Sequence, residues 1–150
     1  MLHVYPHPPF WILRIDGTAR PNPGRMAVGV VLSAPDGACI CTGQGLGLYG
    51  CNNEAELRAL QLGLHMAHTQ AAPALRIYTD SQWLVQQLQP PQPSVRPTAR
   101  LQPLLDLVRA QLQAVPVVQW RWVPRRCNTQ ADALARQAAG IDIAIDSCMP

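Results

Sequence analysis

Residues 49–60 read YGCNNEAELRAL, and Glu54 and Glu56 within them are the only two glutamates among 150 residues. Asn52 or Asn53 offers a helix cap, and the spacing of apolar residues beyond them predicts a helix through about His68. Positions two apart on a helix point about 200° from one another, so the two acids meet different surroundings. Stepping from Glu56 by helical spacing reaches Ala59, Leu60, Gly63 and Ala67, a small apolar stripe that lets a helix lie close on a sheet. The same steps from Glu54 reach Arg58, Gln61, His65 and His68, which reads as a solvent face carrying a surface Glu54–Arg58 pair and two solvated histidines. Glu56 is thus an acid in the first turn of a buried face, where a lone carboxylate is costly unless something neutralises it.

On the N-terminal side of this helix the pattern is that of strands. FWILRID (10–16) is an apolar strand ending at Asp16, and GTARPNPGR (17–25) reads as a loop around Pro21, Pro23 and Gly24. Residues 26–34 and 38–46 form two strands joined by the hairpin turn Pro35-Asp36-Gly37. On the C-terminal side, ALRIYTD (74–80) is a strand ending at Asp80, and SQWLVQQL follows as a short helix capped by Ser81. PPQPSVRP (90–97) is a stiff proline-rich connector. A helix from Thr98 to about Ala114, a fifth strand over 115–123 and a last helix from Asn128, as its cap, to Ala139 complete the pattern. In the tail, Ile141, Ile143 and Ile145 alternate as in a short edge strand. This β-β-β-α-β-α-α-β-α order predicts an α/β fold, a five-stranded mixed sheet flanked by helices. The length suits a single domain over 1–150, with a core at about 10–139 and a C-terminal tail at 140–150.

With 48% hydrophobic and 14% charged residues, the composition is that of a soluble globular protein, and no apolar run approaches the roughly 20 residues of a membrane span. The proline-broken start MLHVYPHPPFW does not read as a secretory signal, so a cytoplasmic location with no membrane partner is expected. Cysteines 39, 41, 51, 127 and 148 show neither CxxC pairing nor zinc spacing and read as small buried thiols. All 12 cationic residues are arginine, at a net charge of +3. That charge is weak evidence by itself, but guanidinium forks suit phosphate oxygens, which leaves a phosphate-rich partner open.

Three more acids share the setting of Glu56. Asp16 and Asp80 end strands, and Asp132 lies in the first turn of the last helix. Strand ends and neighbouring helix starts gather on one rim of such a sheet, so these four positions are expected to converge. Converging carboxylates raise one another's pKa, and a divalent cation relieves the repulsion; all-oxygen ligands select Mg²⁺ or Mn²⁺ over zinc.

DGTARPNPG (16–24), NNEAEL (52–57), YTDSQWLVQQL (78–88) and NTQADALA (128–135) resemble, in order, the four signature segments of type 1 ribonuclease H, over about residues 10–139. The resemblance implies a ribonuclease H-like fold and an endonuclease that cuts the RNA strand of RNA/DNA hybrids by two-metal-ion catalysis, leaving 5′-phosphate and 3′-hydroxyl ends. Asp16, Glu56, Asp80 and Asp132 match the catalytic metal-binding acids, with two Mg²⁺ or Mn²⁺ ions as cofactor. Asn22, Asn52, Asn53 and Gln82 match the side chains that contact RNA 2′-hydroxyls. The implied partner is an RNA/DNA hybrid, with double-stranded RNA as a second substrate and the protein acting as a monomer. The alternative is a catalytically weak module of the same fold that binds hybrid or double-stranded RNA.

Three departures from the family pattern stand out. The loop VPRRCN (123–128) lacks the histidine that many members carry, which resembles a short, His-less branch and implies slower turnover or a preference for Mn²⁺. Residues 90–97 replace a basic handle, leaving substrate grip to Arg96, Arg100, Arg125 and Arg126. Cys51 stands where relatives often have a threonine holding a DNA-strand phosphate, and a thiol is the weaker donor.

Overall fold

The structure is a computed structural model that describes residues 8–89 and 99–140. The connector at 90–97 and the alternating Ile141, Ile143 and Ile145 lie outside the described residues. Strands β1 (Trp11–Arg20), β2 (Gly24–Ser33) and β3 (Cys39–Gly50) form an antiparallel meander. Helix α1 (Asn52–Thr69) crosses over to β4 (Ala74–Thr79), which pairs parallel with β1. After α2 (Gln82–Leu88) and α3 (Gln102–Gln113), β5 (Val117–Trp122) adds parallel to β4, and α4 (Thr129–Ala138) closes the fold. The sheet order is β3-β2-β1-β4-β5. None of the described helices is long and apolar enough to cross a membrane.

Alternation along the strands sorts the two faces. Leu13, Ile15, Leu75 and Ile77 are fully buried in the core with Leu57, Leu60 and Leu64 of α1 and Leu105 and Val108 of α3. The opposite face of β1, β2 and β3 carries α4. Both helices approach the sheet where there is no side chain in the way: a Cβ on Gly17 would lie 2.2 Å from the backbone of Ala55 in α1, and one on Gly29 would lie 2.1 Å from the carbonyl of Ala131 in α4. Asp16 is paired with Gly29, and residues opposite each other on antiparallel strands share a face. Asp16 therefore belongs to the α4 side, while its neighbour Gly17 touches the start of α1.

Two boundaries differ from the sequence reading. The expected loop at 17–25 is mostly strand, because Gly17, Thr18 and Ala19 pair with Val28, Ala27 and Met26, which confines the turn to Pro21, Asn22 and Pro23. The cap of α1 is Cys51, whose Sγ accepts from the N–H of Glu54 at 3.4 Å, rather than Asn52 or Asn53. The expectation of small buried thiols also fails for the described cysteines, while Cys148 lies outside the described residues. Cys39 and Cys127 are free and exposed, Cys51 is free and half-buried, and Cys41 is disulfide-bonded.

Candidate metal centre

The site begins where two parallel strands part. β1 pairs with β4 only from Trp11 through Arg14, so the next residues of β1 and the end of β4 border an opening. Asp16 projects from β1 into this opening, Asp80 follows the last residue of β4, and the first turn of α1 brings Glu56 in from the other face. One carboxylate oxygen from each of the three lies within 4.8 Å of the others. Such openings at the carboxyl ends of parallel strands are where α/β sheets bind ligands.

Surrounding groups fix the acids in place. The Gly17 N–H donates to Asp16 Oδ1 at 3.1 Å and to Glu56 Oε2 at 3.2 Å, so one backbone amide ties the strand to the helix. Asn128, expected as a side-chain cap for α4, makes no such bond; its Nδ2 donates instead to the carbonyl of Ile15 at 2.8 Å. That carbonyl lies just beyond the last β1–β4 pair, so the side chain supplies the donor that a neighbouring strand no longer provides. The same bond ties the start of α4, and with it Asp132, to β1.

Electrostatically the cluster is frustrated. Burial, then the nearby charges of Asp80 and Asp132, push the Asp16 carboxyl up to about 8 against its hydrogen bond with Glu56. Burial and the charge of Asp16 raise Glu56 well above the usual carboxylate range. Asp80 is raised by burial and by Asp132, against the attraction of Arg125. Among the described residues its Oδ2 is buried with no hydrogen-bond partner, and the closest cation, Arg125 Nε, is 3.9 Å away. Buried carboxylates that repel one another, one with an unsatisfied oxygen, form a donor set suited to a hard divalent cation.

Asp132 stands at the rim. It lines the same cleft of about 400 Å³ as Asp16 and Glu56, its side chain is 24% exposed, and its oxygen is 4.0 Å from Arg136. Of the four residues expected to contact substrate, Asn22 and Asn52 line this cleft; Asn53 and Gln82 are exposed in the first turns of α1 and α2 and do not line it. Asn22 Oδ1 accepts from the Asn52 N–H at 3.0 Å, and Asn52 Oδ1 accepts from the Ala19 N–H at 2.8 Å. These bonds lock the β1–β2 turn to the start of α1. Arg125, read from the sequence only as a surface grip, lines the cleft beside the acids.

Glu54 requires a correction. Its side chain is only 7% exposed, because the polar stripe of α1 is covered at this end. Glu54 accepts from Arg58 Nε at 3.0 Å and makes a close ion pair with Arg100, from the 3₁₀ turn (Ala99–Leu101) before α3. Gly50 is close enough that a Cβ there would lie 2.9 Å from Glu54 Oε1. Farther along the stripe, His65 and His68 are exposed, as expected.

The sheet order, the flanking helices and the acid cluster define a ribonuclease H-like domain with a candidate metal site. The reverse transcriptase-like family matches residues 14–138, and the chain belongs to it. Its homologues are type 1 ribonucleases H. The ribonuclease HI of Halobacterium salinarum is 34% identical over 82% of this chain and 61% of its own length. The bifunctional protein Rv2228c of Mycobacterium tuberculosis is 34% identical over 85% of this chain and 35% of its own length, so the chain spans about a third of that relative. Among solved structures, the ribonuclease H1 of Halobacterium salinarum superposes with a TM-score of 0.79 at 30% identity, covering 88% of this chain and 98% of that one. LC11 ribonuclease H1, solved in complex with an RNA/DNA hybrid, superposes with a TM-score of 0.75 at 27% identity, covering 85% and 95%.

Proposed function

We propose that this chain hydrolyses the RNA strand of RNA/DNA hybrids as an endonuclease, leaving 5′-phosphate and 3′-hydroxyl ends. The observation that carries the proposal is the convergence of Asp16, Glu56 and Asp80 within 4.8 Å, in a setting that disfavours three free negative charges. Asp16, Glu56, Asp80 and Asp132 would hold two Mg²⁺ or Mn²⁺ ions. Bound there, the ions supply an activated water and charge neutralisation at the scissile phosphate and the leaving 3′-oxygen.

The remaining work falls to the chain's own groups. The Gly17 N–H orients Glu56 and Asp16, and Asn128 keeps α4 against β1 so that Asp132 stays at the rim. The side-chain oxygens of Asn22 and Asn52 are already engaged, which leaves their NH₂ groups as donors toward RNA 2′-hydroxyls. Asn53 and Gln82, exposed at helix starts, serve nucleotides farther along. Arg125 offers a guanidinium to a backbone phosphate at the cleft. A module that only binds nucleic acid would gain nothing from burying three mutually repelling acids next to a polyanion.

A labelled hybrid incubated with the purified protein and Mg²⁺ or Mn²⁺ tests the proposal. Internal cuts confined to the RNA strand, with 5′-phosphate ends and suppression by chelator, are the expected result. A folded protein that leaves the hybrid intact with both metals would refute it. Double-stranded RNA in the same assay establishes whether it is a second substrate.

A further inference from the structure

Among the described residues, the face of the sheet that carries α4 is only partly covered. α4 lies over β1, β2 and β3, while α1 and α3 pack on the opposite face. On β4 and β5, Leu75, Ile77, Val118 and Trp120 turn toward the core. Alternation then places Arg76, Tyr78, Gln119 and Arg121 on the α4 side, beyond that helix. Register aligns Arg14, Tyr78 and Arg121 in one row across β1, β4 and β5, with Ile12, Arg76 and Gln119 in the next.

This face is basic and aromatic. The Arg14 guanidinium lies 4.3 Å from the centre of the Tyr78 ring, and that of Arg76 lies 4.5 Å from the centre of Phe10. Arg76 Nε also donates to Gln119 Oε1 at 3.1 Å, holding its plane in place. Arg121 is exposed and, among the described residues, its side chain bonds a carbonyl of its own strand, that of Trp120. None of these three arginines forms an ion pair with a carboxylate among the described residues. The face also runs directly into the acid cluster, since Asp16 is two residues beyond Arg14 on the same side of β1 and Asp80 is two beyond Tyr78.

We infer that the open face of β1, β4 and β5 is a platform for a single-stranded nucleic-acid segment continuous with the substrate in the cleft. Guanidinium groups held against aromatic rings are surfaces on which unpaired bases stack, and their N–H edges and the exposed Arg121 attract the phosphates between them. A pleated sheet surface suits unpaired bases, because a duplex keeps its base faces stacked inside. An acidic peptide would satisfy the charge but would have no use for the stacked planes. The inference rests on reading the cleft as a nuclease site and adds a preference for hybrids that carry a single-stranded flank.

Binding is measured by fluorescence anisotropy with a labelled single-stranded oligonucleotide and the Asp16→Asn protein without divalent cation, so that it does not depend on cleavage. The triple substitution Arg14→Gln, Arg76→Gln, Arg121→Gln is expected to weaken binding about tenfold or more and to flatten its salt dependence. Arg121→Gln alone, at an exposed position that cannot disturb the core, is expected to cost about two- to threefold. The Arg14→Lys, Arg76→Lys pair keeps the charge but loses the planes, and is expected to bind more weakly than its parent. In the wild-type background, the triple variant should cut a blunt hybrid at the parental rate and lose its advantage on a hybrid with an RNA overhang. Unchanged oligonucleotide binding by the triple variant would overturn the inference, as would displacement of the oligonucleotide by polyglutamate as readily as by unlabelled oligonucleotide. Failure of the nuclease reading is a separate outcome, visible as a blunt hybrid left uncut by the wild-type protein.

Discussion

Glu54 and Glu56 sit two residues apart in the first turns of one helix, and both are buried, at 5% and 8% exposure. What surrounds them is opposite. Glu54 is held between Arg58 and Arg100, so its charge is neutralised by the protein itself. Glu56 faces Asp16 and Asp80, so its charge is opposed by the protein, a setting that suits a cation from outside. Burial alone does not distinguish a structural carboxylate from a functional one; the sign of the neighbouring charges does. Glu54 ties the α3 region to α1, whereas Glu56 contributes to a site that costs stability until it is filled.

The sharpest break of this comparison is at Asp16. Asp16→Asn should reduce hybrid cleavage by about a thousandfold or more, because on the proposed function it removes a carboxylate that would hold metal and so takes away charge stabilisation in the transition state. The same substitution should raise thermal stability at pH 8 without metal, since it removes a buried charge that its neighbours repel. A drop in both quantities would mean that the acid cluster holds the fold together rather than burdening it.

The pH dependence of the metal-free protein sharpens the contrast next. The folded-state pKa of Asp16, at about 8, lies above its value in the unfolded chain, and Glu56 is raised as well. Between these limits the folded state binds more protons than the unfolded state, so stability is greatest in acid and declines as pH rises from about 4 toward 8. Mg²⁺ or Mn²⁺ should restore the loss at pH 8 and have little effect at pH 5, as melting temperatures would register. Asp16→Asn should flatten the decline.

Asn128→Ala follows in size. It strands the buried carbonyl of Ile15, at a cost of about 1–3 kcal/mol in denaturant unfolding. It also loosens the start of α4, so cleavage should fall along with stability. Glu54→Ala is expected to cost about 1–2 kcal/mol, since both arginines keep partial access to water. Its cleavage rate at a temperature where it is folded should stay within a few-fold of wild type.

Much of this arrangement is legible in the sequence, for identifiable reasons. Strand alternation and helical spacing are local, so the order of elements and the inward face of Glu56 can be read directly, as can the placement of Asp80 at a strand end, whereas Asp16, read as the end of the first strand, lies inside β1. The strand continuing through Gly17–Ala19 is less legible, because a stretch rich in turn formers is held extended by its pairing with β2. The bond from Asn128 to Ile15 joins positions 113 residues apart, and the ion pair from Arg100 to Glu54 joins positions 46 apart. No helical wheel contains either, so Glu54 reads as solvent-facing and Asn128 as a simple cap. An acid with one arginine a turn away is a weak local sign of such a buried pair, and a helix-capping asparagine gives no sign at all that its amide is needed elsewhere.

The most direct test of the central claim compares Glu56→Gln with Glu54→Gln on the same labelled RNA/DNA hybrid, with Mn²⁺ and Mg²⁺, at a temperature where both variants are folded. Glu56→Gln should leave the RNA strand uncut with either metal, and Glu54→Gln should cut it within about threefold of the wild-type rate, since only the former removes a group from the reacting centre. Equal loss of cleavage in the two variants, or retained cleavage in Glu56→Gln, would contradict the assignment of one glutamate to the fold and the other to the chemistry.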